Sequence, residues 1–315
     1  MEAWTSERWE RERTFHHSAF SAEWLVAQRE DTISICLPAR NEAATIGPIL
    51  NDLMPLLEAG AIDQVVVVDD SEDGTADIAR ALGAEVHSQS ALCSQLGPVQ
   101  GKGDAMWRAL TVLSGGVVCY LDADSRAFGP HFATALAGAV ATPGPVSFAK
   151  AFYRRPFQTA AGTSPEGGGR VTELCARPLL QWLYPELSGV RQPLSGEIAA
   201  RRELLERLPF LCRYAVDVGL LIDVWREVGL DGMAQVDLDV RQNRHRALSE
   251  LGSMALDVSG AILHRVRDEG RLIESPLARF ASVHSASGAG GFGAQVVERP
   301  PMERAYAAAE EALTE

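Results

Sequence analysis

The sequence predicts an α/β protein built on a mostly parallel sheet with helices on both faces. Two observations carry this prediction. Short apolar runs alternate with helical segments between residues 33 and 124, which is the order of βαβ units. The apolar runs at residues 65–68 and 117–121 end directly in acidic residues. Because parallel strands bring their carboxyl ends to one edge of a sheet, where open α/β folds bind ligands, these acids are expected to meet there.

Composition restricts the classes of function. The chain has 315 residues, 46% hydrophobic content and a formal net charge of −13, so it can bury a full core. The negative charge argues against nonspecific nucleic-acid binding, which needs a basic surface. Five cysteines without C-x-x-C spacing indicate neither a disulfide framework nor a zinc site, and they fit a reducing cytoplasm. No run approaches the roughly 20 apolar residues of a membrane span, so we expect a cytoplasmic protein with no membrane contact.

The chain begins with a polar stretch of about 30 residues, predicted to be partly helical, in which Trp4, Trp9 and Trp24 are available to pack on the domain. Residues 33–37 follow as the first convincing strand. We expect Pro38 to end this strand, because proline lacks a backbone donor. A polar turn and a helix over about 43–57 complete the first half of a βαβ unit.

The second strand, residues 65–68, runs into a cluster of acids and then into a helix predicted over 76–82. Asp69 and Asp70 come directly after the strand, so they are candidates to bind the base or ribose of a nucleotide. Asp73 has a second interpretation as the cap of the helix that follows.

A glycine-flanked lysine precedes the next helix, which is predicted over residues 104–113. The segment is not a P-loop, because Gly97 is one residue too close to Lys102 and Gly103 replaces the required Ser or Thr. Lys102 nevertheless suits a diphosphate, since it combines a point charge with a helix N-terminus. A solvated loop lysine is the alternative.

The strand at residues 117–121 ends in a D-x-D pair, Asp122 and Asp124. Strand side chains alternate, so these two carboxylates project to the same side and can meet one divalent cation or one sugar nucleotide. A strand end followed by an acidic turn is the alternative for so short a pattern.

The second half of the chain has its own polar motifs. Gly169, preceded by two glycines and followed by Arg170 and Thr172 at a helix start, predicts a nest of backbone donors for a phosphate or carboxylate. Asp217 lies in the first turn of another predicted helix, where it either faces a ligand or only complements the helix dipole. Arg241 opens a basic run after an alternating strand at 235–240, and in so acidic a protein we expect that run to face a diphosphate.

These motifs carry a family resemblance. The first four, in this order, resemble the nucleotide half of a GT-A glycosyltransferase: LPARNE at 37–42, VVDDS at 67–71, GKG at 101–103 and LDAD at 121–124. Three later ones resemble a narrower group, the actinobacterial-type glucosyl-3-phosphoglycerate and mannosyl-3-phosphoglycerate synthases: FYRRP at 152–156, GGGRVTEL at 167–174 and QPLSGE at 192–197. The resemblance runs from about residue 33 to about residue 265.

The resemblance implies a set of site residues. Those expected at the nucleotide sugar are Pro38, Ala39, Arg40, Glu42, Asp69, Asp70, Lys102, Asp122, Ala123 and Asp217. Those expected at 3-phosphoglycerate are Gly169, Arg170, Thr172 and Asn243. The resemblance also implies that the Leu194 carbonyl lies near the anomeric carbon, and that Asp124, Leu194, Asp217 and Arg241 serve catalysis.

Two positions depart from the family pattern. The family has a histidine two residues after the arginine equivalent to Arg241, where it completes the metal shell with the last acid of D-x-D. This chain has Asn243 there and His245 two residues further on. We expect Asp124 to bind Mg²⁺, Mn²⁺ or another divalent cation, with His245 and Asp122 as further candidate ligands. Either His245 reaches the ion through a shifted loop, or Asn243 and water take the place of the histidine, which Mg²⁺ tolerates. Asp217 stands where the glucosyl enzymes are expected to have Glu, which leaves the choice between glucose and mannose open.

The resulting hypothesis is a retaining, metal-dependent transfer of mannose or glucose from GDP-mannose, GDP-glucose or UDP-glucose to 3-phosphoglycerate by a homodimeric enzyme. The product would serve osmolyte or polysaccharide precursor synthesis. The alternatives are an inverting polysaccharide or lipid-phosphate transferase with Asp217 as base, and a non-catalytic nucleotide-sugar-binding protein. A sugar-phosphate nucleotidyltransferase is disfavoured, because residues 38–42 lack the glycine-rich G-x-G-T-R loop of that class.

The expected organisation has four parts. Residues 1–30 form an N-terminal extension and residues 31–150 the nucleotide-sugar half. Residues 151–267 form the acceptor half of the same GT-A domain, and residues 268–315 a C-terminal helix and flexible tail.

Overall fold

The computed structural model describes residues 4–159, 162–164, 168–242, 248–271, 283–284, 291–292 and 296–306. The strands, in chain order, are β1 (Thr14–His16), β2 (Ile33–Ala39), β3 (Gln64–Asp69), β4 (Glu85–His87), β5 (Val117–Tyr120), β6 (Phe148–Arg154), β7 (Phe157–Thr159), β8 (Gly162–Ser164), β9 (Ile198–Arg201), β10 (Phe210–Leu211), β11 (Met233–Val240), β12 (Val283–His284), β13 (Gly291–Phe292) and β14 (Glu298–Arg299). The α-helices are α1 (Ser6–Glu12), α2 (Ala22–Gln28), α3 (Ile46–Glu58), α4 (Thr75–Ala81), α5 (Lys102–Ala109), α6 (His131–Ala141), α7 (Arg177–Leu183), α8 (Arg202–Arg207), α9 (Val216–Val228) and α10 (Leu248–Asp268).

One large sheet organises the described part of the chain, with the strand order β1-β11-β6-β9-β5-β2-β3-β4. Its strands pair in parallel except β9, which runs antiparallel to both neighbours, β5 and β6. The predicted α/β class is therefore confirmed. The carboxyl ends of β2, β3 and β5 lie at the same edge, as expected for consecutive βα units.

The sheet separates two hydrophobic cores. Alternate residues of β2 and β3 face opposite sides, so Ile35 and Val67 join the core of α3 and α6, whereas Cys36 and Val66 join the core of α5, α9 and α10. Because an apolar core covers each face of the sheet, the side chains on both faces of the central strands are hydrophobic. These strands therefore appear in the sequence as continuous apolar runs.

Pro38 does not end β2, contrary to the sequence expectation. The strand continues to Ala39, and Pro38 stands in register with Val68 of β3. On the other side, the pairing with β5 ends at Cys36. In a parallel strand between two neighbours, the backbone N–H groups of successive residues point alternately toward one neighbour and the other. The N–H group that Pro38 lacks would point to the β5 side, beyond the end of β5, so no hydrogen bond of the ladder is lost.

The first residues belong to the sheet. Trp9 of α1 is buried, and its indole Nε1 donates to the Met233 carbonyl at 2.9 Å, so its predicted packing on the domain is confirmed. Two residues after α1 ends, the chain forms β1, which pairs in parallel with β11 at the sheet edge. Nothing in the polar sequence of this segment predicts that strand.

Most predicted helices appear with shifted ends. The helix expected over 43–57 spans Ile46–Glu58, and the one expected over 104–113 spans Lys102–Ala109, so Lys102 is its first residue. Of the C-terminal helix and tail expected over 268–315, the structure describes residues 268–271, 283–284, 291–292 and 296–306, and residues 302–306 among them are helical. None of the helices in the described ranges has the length and apolar character that crossing a bilayer requires.

Candidate active site

A cleft of about 980 Å³ opens at the carboxyl edge of β2, β3 and β5. We call it the central cleft. Sequence-predicted site residues from both halves of the chain line it: Pro38, Ala39, Arg40, Glu42, Asp70, Lys102, Asp122, Ala123, Asp124, Gly169, Arg170, Thr172, Leu194, Asp217 and Arg241. The fold therefore brings into one cavity motifs that are up to about 200 residues apart in sequence.

The segment that follows β2 forms one wall of the cleft, and hydrogen bonds to the turn that follows β3 hold it in place. Asn41 adopts a left-handed conformation with φ 60, and the next two backbone N–H groups donate to Thr75 Oγ1 and to the Asp73 carboxylate, each at 3.0 Å. Asp73 also accepts from the Thr75 backbone N–H at 3.1 Å. Its role is thus structural, in agreement with the capping interpretation.

Asp69 and Asp70 differ in position. Asp70 lines the central cleft and accepts from the Ser88 hydroxyl at 2.6 Å and from the Ser90 N–H at 2.8 Å. Asp69 is only 4% exposed, bonds Ser71 and does not line the cleft. Of the two, Asp70 is therefore the one that can reach a ligand directly.

Gln89 is a cleft residue that nothing in the sequence marks. Its side-chain amide donates to the Ala39 and Val68 carbonyls, both at 2.9 Å, and so ties together the carboxyl ends of β2 and β3.

The centre of the cleft is a network of alternating charges. Lys102 Nζ lies 2.7 Å from Asp122 Oδ1 and 3.4 Å from Asp217 Oδ1. Arg241 Nη2 lies 3.0 Å from Asp122 Oδ2 and 2.6 Å from Asp124 Oδ1. Asp122 is therefore shared by two cations, and the five charges come from four segments of the chain: α5, the turn after β5, α9 and the segment directly after β11.

A second layer holds Arg241 from behind. Its Nη1 lies 3.0 Å from Glu197 Oε1 and donates to the Tyr153 hydroxyl at 2.7 Å. The Tyr153 hydroxyl in turn donates to Glu197 Oε2 at 2.7 Å and accepts from Arg155 at 2.9 Å. Glu197 and Tyr153 lie within the sequence motifs, but only the fold shows that they position Arg241.

Burial and neighbouring charges shift the pKa values of these groups. Burial lowers the pKa of Lys102, but the charges of Asp122 and Asp217 more than compensate and raise it above the ordinary lysine value. Burial raises the pKa of Asp122, yet Lys102 and Arg241 outweigh that effect and hold the carboxyl well below its usual range. Burial is the main cause of the raised pKa values of Asp217 and Glu197. The cluster therefore keeps Lys102 and Arg241 positively charged around an ionised Asp122.

The backbone at Gly196 passes very close to these charges. A Cβ atom there would lie 2.2 Å from Lys102 Nζ and 2.4 Å and 2.5 Å from the two Asp122 carboxylate oxygens. Gly103 is confined in the same way, since its Cβ would lie 1.9 Å from the Leu211 carbonyl oxygen. Only glycine leaves room for the Lys102–Asp122 pair against the 194–197 turn.

A buried lysine supports that turn from below. Lys150 is 2% exposed, and its Nζ donates to the Ser195 carbonyl at 2.8 Å and to the Asp217 carbonyl at 3.4 Å. Burial lowers the pKa of Lys150 to about 8. It links the turn that carries Leu194 to the first turn of α9.

The glycine-rich segment forms the opposite wall. Gly169 has φ 72, and its carbonyl accepts from the Glu173 N–H at 3.0 Å, which starts a helical stretch that is a π-helix over Thr172–Ala176. Gly168 packs so tightly that a Cβ there would lie 2.5 Å from Arg155 Cβ. Arg170 and Thr172 line the cleft beside this turn.

The residues expected to complete the metal shell and the acceptor site after Arg241 lie outside the described residues. These are Asn243 and His245, together with Arg244 of the basic run. Their expected roles stay predictions.

Carboxylates crowd one end of the cleft. Glu42, Asp122 and Asp124 all line it, and the pKa of Glu42 is raised by burial and then by the nearby charge of Asp124. The Asp124 side chain is 41% exposed, and its Oδ1 contacts Arg241. Hard oxygen donors crowded in this way, on a group that solvent reaches, fit Mg²⁺ or Mn²⁺.

Comparison with known proteins finds the same organisation elsewhere. Residues 34–160 match the model of the family described as glycosyl transferase family 2. Glucosyl-3-phosphoglycerate synthase of Mycolicibacterium smegmatis is 43% identical over 255 residues, which cover 79% of this chain and 84% of the relative. The enzyme of the same name from Petrotoga mobilis is 40% identical over 272 residues, covering 82% of each chain.

Solved structures extend the likeness to the fold. Mannosyl-3-phosphoglycerate synthase from Rubrobacter xylanophilus superposes with a TM-score of 0.86 at 44% identity, covering 97% of this chain and 99% of that one. Glucosyl-3-phosphoglycerate synthase from Mycobacterium tuberculosis, in complex with Mn²⁺, UDP-glucose and phosphoglyceric acid, gives a TM-score of 0.77 at 39% identity, covering 97% and 96%. The sheet and its helices thus have the GT-A glycosyltransferase fold, as the sequence motifs indicate.

Proposed function

This chain belongs to the glucosyl-3-phosphoglycerate synthase family, and from that premise we propose that it transfers a hexose from a nucleoside diphosphate sugar to the hydroxyl of 3-phosphoglycerate. The observation that carries the proposal is the Lys102–Asp122–Arg241–Asp124 network, which faces the Gly169 turn across one cleft. A site for the sugar donor and a site for an anionic acceptor therefore lie in the same cleft. The relatives' complexes with UDP-glucose and phosphoglyceric acid support this assignment.

On the donor side, the loop at residues 38–42 and Asp70 would bind the nucleoside, while Lys102 and Arg241 would face the diphosphate. Both cations stay charged, so they stabilise the negative charge that develops on the leaving diphosphate. Asp217 at the cleft wall would accept hydrogen bonds from hexose hydroxyls. Asp69, buried behind the Ser71 turn, would act by holding that turn rather than by direct contact.

A divalent cation, Mg²⁺ or Mn²⁺, would be held by Asp124, with Asp122 and His245 as further candidates. Bound there, such an ion supplies Lewis-acid stabilisation of a departing diphosphate. The relatives' complexes with Mn²⁺ or Mg²⁺ and UDP support a cation in this role. In this chain Arg241 holds the Asp124 carboxylate in the cleft through its 2.6 Å contact.

On the acceptor side, the turn at Gly169 with Arg170 and Thr172 would bind the phosphate or carboxylate of 3-phosphoglycerate, and Asn243 is proposed as a further contact. A guanidinium beside backbone donors at a turn suits either anion. The reacting hydroxyl would then lie near Leu194, between the glycine turn and the charge network.

We favour retention of the anomeric configuration. The bond from the anomeric carbon to the diphosphate oxygen breaks, the acceptor oxygen bonds to the same face, and the acceptor proton passes to a diphosphate oxygen. Asp122 is paired with Lys102 and Arg241, and Asp217 with Lys102, so neither is a free nucleophile. Inverting transfer with Asp217 as base is the rival, and the anomeric configuration of the product separates the two.

The test is a turnover assay with 3-phosphoglycerate and Mg²⁺ against GDP-mannose, GDP-glucose and UDP-glucose in separate reactions. Asp124→Ala is the site variant and Asp77→Ala the matched control, since Asp77 is an exposed helix carboxylate whose partner among the described residues is Arg80. A phosphorylated hexosylglycerate from the wild type and the control, but not from Asp124→Ala, supports the proposal and names the donor. Nucleotide binding without product from any donor refutes the acceptor assignment.

The cytoplasmic location and the homodimer also stay proposals. Sedimentation equilibrium of the full chain tests the second, with twice the 33.9 kDa chain mass as the expected result.

A further inference from the structure

A second cluster of metal-ligand residues lies away from the central cleft, at the β1 edge of the sheet. His17 Nε2 lies 3.1 Å from Asp239 Oδ2, and a ring nitrogen of His16 belongs to the same group. The three ligand atoms all lie within 4.8 Å of one another. His16 is exposed, and the side chains of His17 and Asp239 are 21% and 52% exposed, so ions can reach the cluster from solvent.

The fold builds this cluster from two strands that are more than 200 residues apart. The β1 strand ends at His16, which stands opposite Asp237 of β11. The pairing of β11 with β6 shifts after Asp237, and Asp239 takes a left-handed conformation with φ 68 while its N–H donates to Asp237 Oδ1 at 2.9 Å. This bulge places the Asp239 carboxylate beside His17.

Neighbouring side chains hold His17 and Asp239 in position without occupying the space between the ligand atoms. The His131 ring stacks on His17 with centroids 4.4 Å apart, and its Nε2 lies 3.3 Å from the Leu238 carbonyl. Arg154 Nη2 donates to Asp239 Oδ1 at 3.2 Å, so one carboxylate oxygen is engaged there and the other faces His17.

We propose that His16, His17 and Asp239 form a binding site for one Zn²⁺-type divalent transition-metal ion. Two imidazoles and one carboxylate are a donor set that zinc uses, with water in the remaining position. Tetrahedral zinc with ligand bonds of about 2.0–2.2 Å needs donor atoms about 3.3 Å apart. Rotation of the exposed His16 ring would supply that contraction, with loss of its Nδ1 contacts to the Ser18 hydroxyl at 2.8 Å and the Ser18 N–H at 3.3 Å. Mg²⁺ prefers oxygen ligands, so excess Mg²⁺ competes for the carboxylates of the central cleft and not for these two imidazoles.

Such an ion would tether β1 to the bulge of β11. Asp239 is two residues before Arg241, which contacts Asp122 and Asp124 in the central cleft. We therefore expect zinc to slow amide hydrogen exchange at both strand segments, around residues 14–17 and 236–242.

The test uses the full chain without an affinity tag, titrated with Zn²⁺ by calorimetry in excess Mg²⁺. The site variants are His16→Ala and His17→Ala. His87→Ala is the matched control, because His87 forms a comparable partly exposed pair with Glu85 at 2.6 Å but belongs to no group of three metal-ligand side chains among the described residues. Substitution of Co²⁺ for Zn²⁺ gives visible d–d bands that report nitrogen ligation independently of activity.

We expect one bound Zn²⁺ per chain, a loss of affinity of about 100-fold in His17→Ala and at least about 10-fold in His16→Ala, and unchanged binding in His87→Ala. His16 is exposed, so its variant keeps the test valid if His17→Ala folds poorly. Wild-type Zn²⁺ affinity in a folded His16→Ala protein, or no Zn²⁺ binding by the wild type, overturns the proposal.

Discussion

The contact of Gly196 with the Lys102–Asp122 pair leads to the sharpest prediction. In Gly196→Ala the new Cβ lies 2.2 Å from Lys102 Nζ, whereas ordinary van der Waals contact begins near 3.4 Å, so the ammonium must move by about 1.2 Å. The two Asp122 oxygens lie 2.4 Å and 2.5 Å from the same Cβ, so both members of the ion pair must move. A misplacement of about 1 Å in a catalytic site costs on the order of 100-fold in rate.

We expect Gly196→Ala to lower the catalytic rate much more than the stability of the fold. Overpacking costs about 1–3 kcal/mol, and the atoms that move first are the ends of side chains rather than backbone. We expect kcat to fall by about 100-fold or more, while urea unfolding stays cooperative with a modestly lower midpoint. The control is Gly47→Ala in α3, where the new Cβ meets Ile78 Cγ2 at an uncrowded 3.5 Å and a helical alanine stabilises by about 0.5–1 kcal/mol. A folded Gly196→Ala enzyme within about threefold of wild-type kcat would refute the reasoning.

Three further predictions concern the groups around this centre. Arg241→Lys removes the planar fork whose Nη2 contacts Asp122 and Asp124 while its Nη1 contacts Glu197, so kcat/KM should fall by about 10²–10³-fold, and a fall of less than threefold contradicts this role. Tyr153→Phe removes a hydroxyl with three hydrogen bonds at 2.7–2.9 Å, so urea unfolding should show a loss of about 1–3 kcal/mol, and unchanged stability contradicts that assignment. Lys150 has a pKa lowered to about 8, so between about pH 8 and 10.5 the unfolded chain holds the extra proton. The stability of the wild type relative to Lys150→Met should therefore rise by roughly 3 kcal/mol across that window in urea titrations, whereas a flat or falling difference shows that Lys150 is not a buried charge.

Much of the central half of the fold follows from local sequence. Apolar runs with a period of two, each followed by a polar turn and a helix, place β2, β3 and β5 and bring their acidic ends to one edge. The positions of Lys102, Asp122 and Asp124 in the cleft could be predicted because each lies at a strand end or a helix start. These are features that a short window of sequence contains.

Other parts depend on pairings between distant segments. The antiparallel β9 lies between β5 and β6, and no local pattern near residue 198 indicates its direction. Gln89 and Tyr153 act through carbonyls and side chains from other elements, so their residue types carry no signal by themselves. Asp69 and Asp70 are adjacent in sequence, but only the packing of the 71–75 turn decides which of them reaches the cleft.

The position of β1 has a consequence for how this chain folds. Thr14 of β1 pairs with Gln235 of β11, which is synthesised more than 200 residues later. β1 therefore cannot form its ladder until β11 has left the ribosome. Strand pairings at such sequence separation form slowly, because closing the long loop costs conformational entropy before the stabilising contacts can form. During synthesis β1 therefore remains without its sheet partner, and we expect this edge of the sheet to close as a late step.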